Sequence, residues 1–152
     1  MLRKVMIRMA DLADMMETFG RSTEKLIPDY ATKKAMTAAG AETLTQALKT
    51  ETRSKHYQRD SKKGSKRKIK HLADSVVFEN TDVNEIDNGN SVVGFQGKDE
   101  SGINHARIAR FLNDGTIKMR GDHFVDNIRR ATAPAVFEAE KKVYDAMTGD
   151  KG

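Results

Sequence analysis

The sequence predicts an α+β domain in which two N-terminal helices and one long C-terminal helix pack on a small antiparallel β-sheet. Three observations lead there. Apolar residues recur at helical spacing near both ends of the chain. Two short β-branched and aromatic runs, about 74–80 and 91–95, lie between them. Asp87-Asn88-Gly89-Asn90, a strong turn signal, separates the two runs.

The first helix is expected over about 10–21. Leu12, Met15, Met16 and Phe19 fall at i, i+3, i+4 and i+7, and Asp11, Asp14 and Glu17 sit off that stripe. Gly20 is placed to end it. The expected role of the stripe is to pack into the core. A second helix is expected from Pro28 to about Thr50, because proline suits the first helical position, where its missing N–H would have no partner anyway. Its Ala-rich centre (Ala31, Ala35, Ala38, Ala39, Ala41, Ala47) favours helix and close approach by a neighbour. Gly40 costs up to ~1 kcal/mol against alanine there, which marks a close contact or a bend.

Arg53 to Lys70 follows, with nine Lys/Arg (Arg53, Lys55, Arg59, Lys62, Lys63, Lys66, Arg67, Lys68, Lys70) against the single acid Asp60, a net +8. The whole chain carries +5, so the remainder is −3 and the basicity belongs to one segment. The segment has almost no apolar residues and no periodicity, so a mobile loop of mutually repelling charges is expected. Three roles stand open for it: a solvated connection, a phosphate-contacting segment, or a dock for an acidic protein surface. With Tyr57 as its one aromatic it offers no base-stacking platform, so any nucleic-acid contact would be to the backbone and without sequence preference.

A strand is expected over about 74–80 from Val76-Val77-Phe78, and a second over Ser91-Val92-Val93-Gly94-Phe95. Lys98 to Gly102 reads as a polar turn. Ile108, Phe111 and Leu112 then give a short helical entry that Asn113-Asp114-Gly115 stops, with Gly115 at positive φ. A short extended piece leads to Gly121-Asp122, where Asp122 is expected to cap a helix over about 122–147. Pro134 should kink or split that helix.

Composition sets limits. The 152 residues suit one domain, 1–152, and 38% hydrophobic with 32% charged residues leaves a modest core under a large polar surface. Without cysteine there are no disulfides and no thiolate metal sites. No apolar run approaches the ~18 residues that span a bilayer. Met1 to Arg8 lacks the continuous apolar core of a signal peptide. His56, His71, His105 and His123 show no metal-ligand spacing, and neither a phosphate-binding glycine loop nor a Gly-x-Ser-x-Gly elbow occurs. No catalytic, cofactor-binding or metal residue is therefore assigned. The many Asp and Glu leave an enzyme using scattered acids as a third-ranked reading.

The stretch from His105 to Phe124 resembles the bacteriophage head–tail joining, or neck, family. His105-Ala106 stands where that family has an aromatic-alanine start. Phe111-Leu112-Asn113-Asp114-Gly115-Thr116 matches its Gly-Thr box, and Met119 and His123-Phe124 match the family positions C-terminal to that box. No Glu precedes Gly115, and His123 stands in place of the usual Pro. His71-Leu72-Ala73-Asp74-Ser75-Val76 is similar to a second box, Gly-Leu-x-x-Ser-Ile after a basic loop, with His71 for the Gly. The resemblance runs in order from about Thr32 to Val143. It makes Leu72, Ser75, Gly115, Thr116 and Phe124 structural motif positions and implies that the two strands pair as an antiparallel hairpin. It further implies a non-enzymatic virion protein, assembled in the host cytoplasm. That protein would form a homo-oligomeric ring, expected to be hexameric, that joins the head connector to the tail or terminates the tail tube. Its partners would be head-closure or connector and tail-tube or tail-terminator proteins; phosphate-backbone contact between the basic segment and packaged DNA stays one of the three open roles, and no membrane partner is expected. The alternative is a small basic nucleic-acid-binding protein without sequence preference.

Overall fold

A computed structural model describes residues 9–56 and 70–149. The architecture is α+β and mostly helical. Helix α1 (Met9–Glu24) leads into α2 (Tyr30–His56), a short 3-10 turn (Leu72–Ser75), strands β1 (Val76–Glu79) and β2 (Val92–Phe95), helix α3 (His105–Asp114), a two-residue-per-strand hairpin β3 (Gly115–Thr116) and β4 (Met119–Arg120), and helix α4 (Phe124–Thr148).

Helices α2 and α4 form the frame. Gly40 in α2 lies against α4 so closely that a Cβ there would sit 2.6 Å from Glu140 Oε1 and 3.0 Å from Val136 Cγ1. The expected close contact at Gly40 is therefore present. The pair runs antiparallel: His56 at the end of α2 meets Asp122 and Phe124, while the Tyr144 hydroxyl donates to the carbonyl of Leu26 just before α2 begins. Pro134 does not divide α4 into two: one helix runs through it from Phe124 to Thr148. Thr132 is buried on its N-terminal side, Val136 lies against Gly40 of α2 beyond it, and the proline itself is exposed.

Strands β1 and β2 pair antiparallel with Val76 opposite Phe95 and Phe78 opposite Val93, the expected hairpin. The core gathers Leu48 of α2, Val76 of β1, Ala109 of α3 and Phe124 of α4, with Leu72, Val93, Phe95, Leu112, Val125 and Ile128 packed around them. Phe124 has no solvent exposure and meets the edges of Phe95 and His56. The connection between β1 and β2 is tied back to α2. Tyr30 and Lys34 donate to the Asp87 carboxylate, and Thr37 Oγ1 donates to the Gly89 carbonyl at 2.7 Å. The Tyr30 and Lys34 hydrogen bonds hold the Asp87 carboxyl below its ordinary range.

Several expectations need correction. The second helix starts later, because the Asp29 carboxylate accepts from the Thr32 N–H and caps it; Pro28 precedes the cap. It also ends later, at His56 rather than near Thr50. Thr52 is fully buried, Arg53 meets Asp74 at 2.8 Å, and His56 meets Asp122 at 2.8 Å, so tertiary contacts hold the last turns. Arg53 and Lys55 are thus helical and not loop residues. The first strand begins at Val76, because Leu72–Ser75 closes a 3-10 turn in which Ser75 Oγ donates to the Leu72 carbonyl. The largest correction concerns α1. Leu12, Met15, Met16 and Phe19 are between 56% and 71% exposed, so the stripe faces outward. Helical periodicity aligns these side chains, but their partner is a tertiary matter, and the tight seam of α2 on α4 takes none of them.

Candidate assembly surfaces

The Gly-Thr stretch is built around Asn113, which is buried at the end of α3. Its Oδ1 accepts from the backbone N–H groups of Val125 (3.0 Å) and Asp126 (3.4 Å), so it caps α4 from another element. Its Nδ2 donates to the carboxylates of Asp114 and Asp126. Asp122, the expected cap, contributes by accepting from the Phe124 N–H at 3.0 Å, but the cap position itself is His123, in the left-handed region at φ 55°. The His123 N–H donates to the Asn113 carbonyl at 3.0 Å. Proline, which the resembled family has here, can provide neither that φ nor that donor. Gly115 has φ 88°, as expected, and its position beside Gly121 closes the small hairpin.

A second constellation sits just ahead of α3. Asp99 accepts from the Ser101 hydroxyl and from the Ser101 and Ile103 N–H groups, and its other oxygen lies 2.7 Å from Nε2 of buried His105. The Ser101 hydroxyl and His105 bonds, foremost, hold the Asp99 carboxyl far below the carboxylate range. The ionised carboxylate only accepts, so His105 Nε2 carries the hydrogen. Ser101 donates to the aspartate and not to the histidine, so these residues do not form a nucleophile and base. They order the turn that delivers α3, whose N-terminus Asn104 caps through the Arg107 N–H at 3.0 Å.

Outside this frame, large apolar side chains are exposed at several places among the described residues, Leu26, Ile27, Val83, Ile86 and Phe137 among them, and two such groups bear on assembly. One is the α1 stripe. The other lies at the opposite end of α4, on the outer side of α3 and the β3–β4 hairpin. There Ile108, Phe111 and Met119 are each about two-fifths exposed, and Ile117 at the hairpin tip is fully exposed. The Arg107 guanidinium stands 5.4 Å from the Phe111 ring centre. An open hollow of about 710 Å³ runs past Arg107, Arg110 and Phe111. A third, mixed surface is a groove of about 710 Å³ between α2, β2 and α4, bordered by Leu44, Val92, Val136, Asp82, Arg129 and Glu140. Burial raises the Glu140 carboxyl above its ordinary range.

Of the nine basic positions singled out, Arg53 pairs with Asp74, Lys55 pairs with Glu51, and Lys70 Nζ donates to Gln96 at 3.1 Å. The first two pairs lie at the surface, where solvent screening leaves such pairs little net contribution. Arg59, Lys62, Lys63, Lys66, Arg67 and Lys68 lie outside the described residues, so the expectation of a mobile loop does too. The motif positions fall where packing needs them. Ser75 and Phe124 are buried, Leu72 packs on the core, and Thr116 Oγ1 accepts from the Lys118 N–H. Asn113, Gly121 and Asp99 carry more of the local structure than the sequence indicated. Two glycines six residues apart around a short extended piece were the available signal for the first two. Among the described residues no three side chains are grouped to hold a metal ion, and no helix is long and apolar enough to cross a membrane.

Comparison with protein-family models, with curated proteins and with solved structures finds no match.

Proposed function

We propose that this chain is a structural subunit of the tailed-phage neck, working in a homo-oligomeric ring that joins the head connector to the tail or terminates the tail tube. The observation that carries the reading is the exposure of the α1 stripe: four large apolar side chains on one helix, left open by a domain that buries only six hydrophobic residues among those described. Such faces mark interaction surfaces in a stable protein. The sequence motifs around Leu72–Ser75 and Gly115–Phe124, in the order the resembled family has them, support the neck reading, and Phe124 is buried in the core with His123 in place of the usual Pro. The test is imaging of purified particles together with mass measurement of the isolated chain. A ring at the head–tail junction, six-fold or otherwise closed, supports the reading; a strictly monomeric protein absent from particles sinks it.

The second reading, a basic nucleic-acid-binding protein without sequence preference, is favoured by the charge concentration between Arg53 and Lys70. Phosphate contact would make log K fall with log salt by roughly 0.9 per phosphate neutralised on duplex DNA. Changing Lys62, Lys63, Lys66, Arg67 and Lys68 to Ser separates the cases. Loss of ring assembly with no DNA binding at any salt makes the segment a protein dock. Intact joining with altered DNA retention makes it a DNA contact, and no change in either makes it a solvated connection.

A further inference from the structure

Two of the exposed apolar groups, the α1 stripe and the α3–hairpin face, lie at opposite ends of α4. Helix α1 ends beside the C-terminal part of α4, where Tyr144 holds the Leu26 carbonyl. The α3–hairpin face lies beside the N-terminus of α4, where Asn113 caps Val125. From Val125 to Tyr144 the helix rises roughly 30 Å. The backbone N–H groups of Leu26 and Ile27 donate to the carbonyls of Thr23 and Glu24, which fixes how α1 leaves the frame. Its stripe is open, so it does not reach the far face of its own chain.

The two faces also differ in charge. The sequence of α1 carries Asp11, Asp14, Glu17 and Glu24 against Arg21, a net −3. From His105 to Arg120 the chain carries Arg107, Arg110, Lys118 and Arg120 against Asp114, a net +3. We infer that α1 of one copy docks its Leu12–Phe19 stripe on the α3–hairpin face of a second copy, its acidic flanks meeting Arg107, Arg110 and Arg120. This deepens the assembly reading and rests on it for the claim that the chain self-associates.

Charge chooses among the possible occupants. Two α1 helices back to back would bring −3 against −3, which opposes a symmetric pair. An anionic bilayer surface would likewise repel the acidic flanks, whereas membrane-surface helices carry Lys and Arg there. The α2–β2–α4 groove is bordered by Asp82 and Glu140 against Arg129, so it offers an acidic helix no complement. The basic, apolar α3 face with its hollow beside Phe111 does. Because the two surfaces are different patches, the contact is head-to-tail, and repetition generates a ring if the rotation closes and a filament if it does not.

The test uses two full-length variants, each blocked at one face. Met16→Asp with Phe19→Asp blocks the stripe; Phe111→Asp with Ile117→Asp blocks the receiving face. Ile117→Asp alone serves as a second receiving-face variant, since that side chain is fully exposed and its loss leaves the core intact. Wild-type chain should self-associate at up to about 0.1 mM, the range of weak specific contacts. Each blocked variant should weaken that association by about tenfold or more, with unchanged circular dichroism. An equimolar mixture of the two should form a 1:1 dimer and go no further, because each keeps the face the other lacks. Wild type that stays monomeric, a receiving-face variant that dimerises alone, or a mixture that does not pair overturns the inference. The neck reading fails separately: mixed pairs that form while particles carry no such ring leave the docking intact. Rings that assemble normally from both blocked variants leave the neck reading intact and remove the docking.

Discussion

Gly115 and Gly121 face each other so closely that neither has room for a side chain. A Cβ on Gly115 would lie 2.6 Å from the Gly121 nitrogen, and a Cβ on Gly121 would lie 2.6 Å from the Gly115 nitrogen and 2.3 Å from the Asn113 carbonyl oxygen. These obstacles are backbone atoms, which cannot swing aside. Gly115→Val, which adds a branched side chain at φ 88°, should destabilise by more than ~1 kcal/mol. Gly121→Ala should cost at least ~1 kcal/mol through the clash alone. Chemical denaturation of both variants checks this; unchanged midpoints would mean the hairpin is not closed in this way.

Asn113→Ala removes the acceptor of two α4 N–H groups and should cost about 1–3 kcal/mol. Asn113→Asp keeps the acceptor but sets a third carboxylate beside Asp114 and Asp126, to which Nδ2 now donates. It should therefore be destabilised at neutral pH and recover part of the loss in acid, as the melting temperature against pH will tell.

His123→Pro should cost roughly 3 kcal/mol or more, because proline cannot reach φ 55° and has no N–H for the Asn113 carbonyl. His123→Gly should be tolerated within about 1 kcal/mol, since glycine accepts that φ. A proline variant that melts with the wild type would show that the turn can adopt the resembled family's geometry.

Asp99 has a depressed folded-state value, so its contribution is fully present above the unfolded carboxylate range and is lost as pH falls through the folded value. Asp99→Ala should lower the melting temperature at neutral pH, and the gap from wild type should close only in strong acid. A constant gap across that range would assign the loss to packing and not to the charge held by Ser101 and His105.

Glu140 behaves in the opposite sense. Burial raises its folded-state value, so the folded protein binds this proton more readily than the unfolded chain does. The resulting penalty is absent below the ordinary carboxylate range, grows as pH rises toward the raised value, and is complete above it. Glu140→Gln should accordingly raise the melting temperature at neutral pH and match wild type in acid. A neutral-pH decrease would mean the carboxylate has a favourable role beside Gly40.

The sequence by itself determined the α+β class, the four segments that became α1, α2, the β1–β2 hairpin and α4, and the left-handed turn at Gly115. These follow from local physics: 3.6-residue and two-residue periodicity, β-branched runs, and the one residue type without a Cβ. Only the tertiary structure decided which stripes found partners. Leu12, Met15, Met16 and Phe19 have the same spacing as a core face, yet they point outward, while the seam that α2 and α4 share is set by Gly40 meeting Val136 and Glu140. Helix ends were decided in the same way. Thr52, Arg53 and His56 stay helical because Asp74, Asp122 and Phe124 come to them from distant parts of the chain. The cap of α4 comes from Asn113, eleven residues before the helix begins. Such contacts join residues remote in sequence, and no local pattern encodes them.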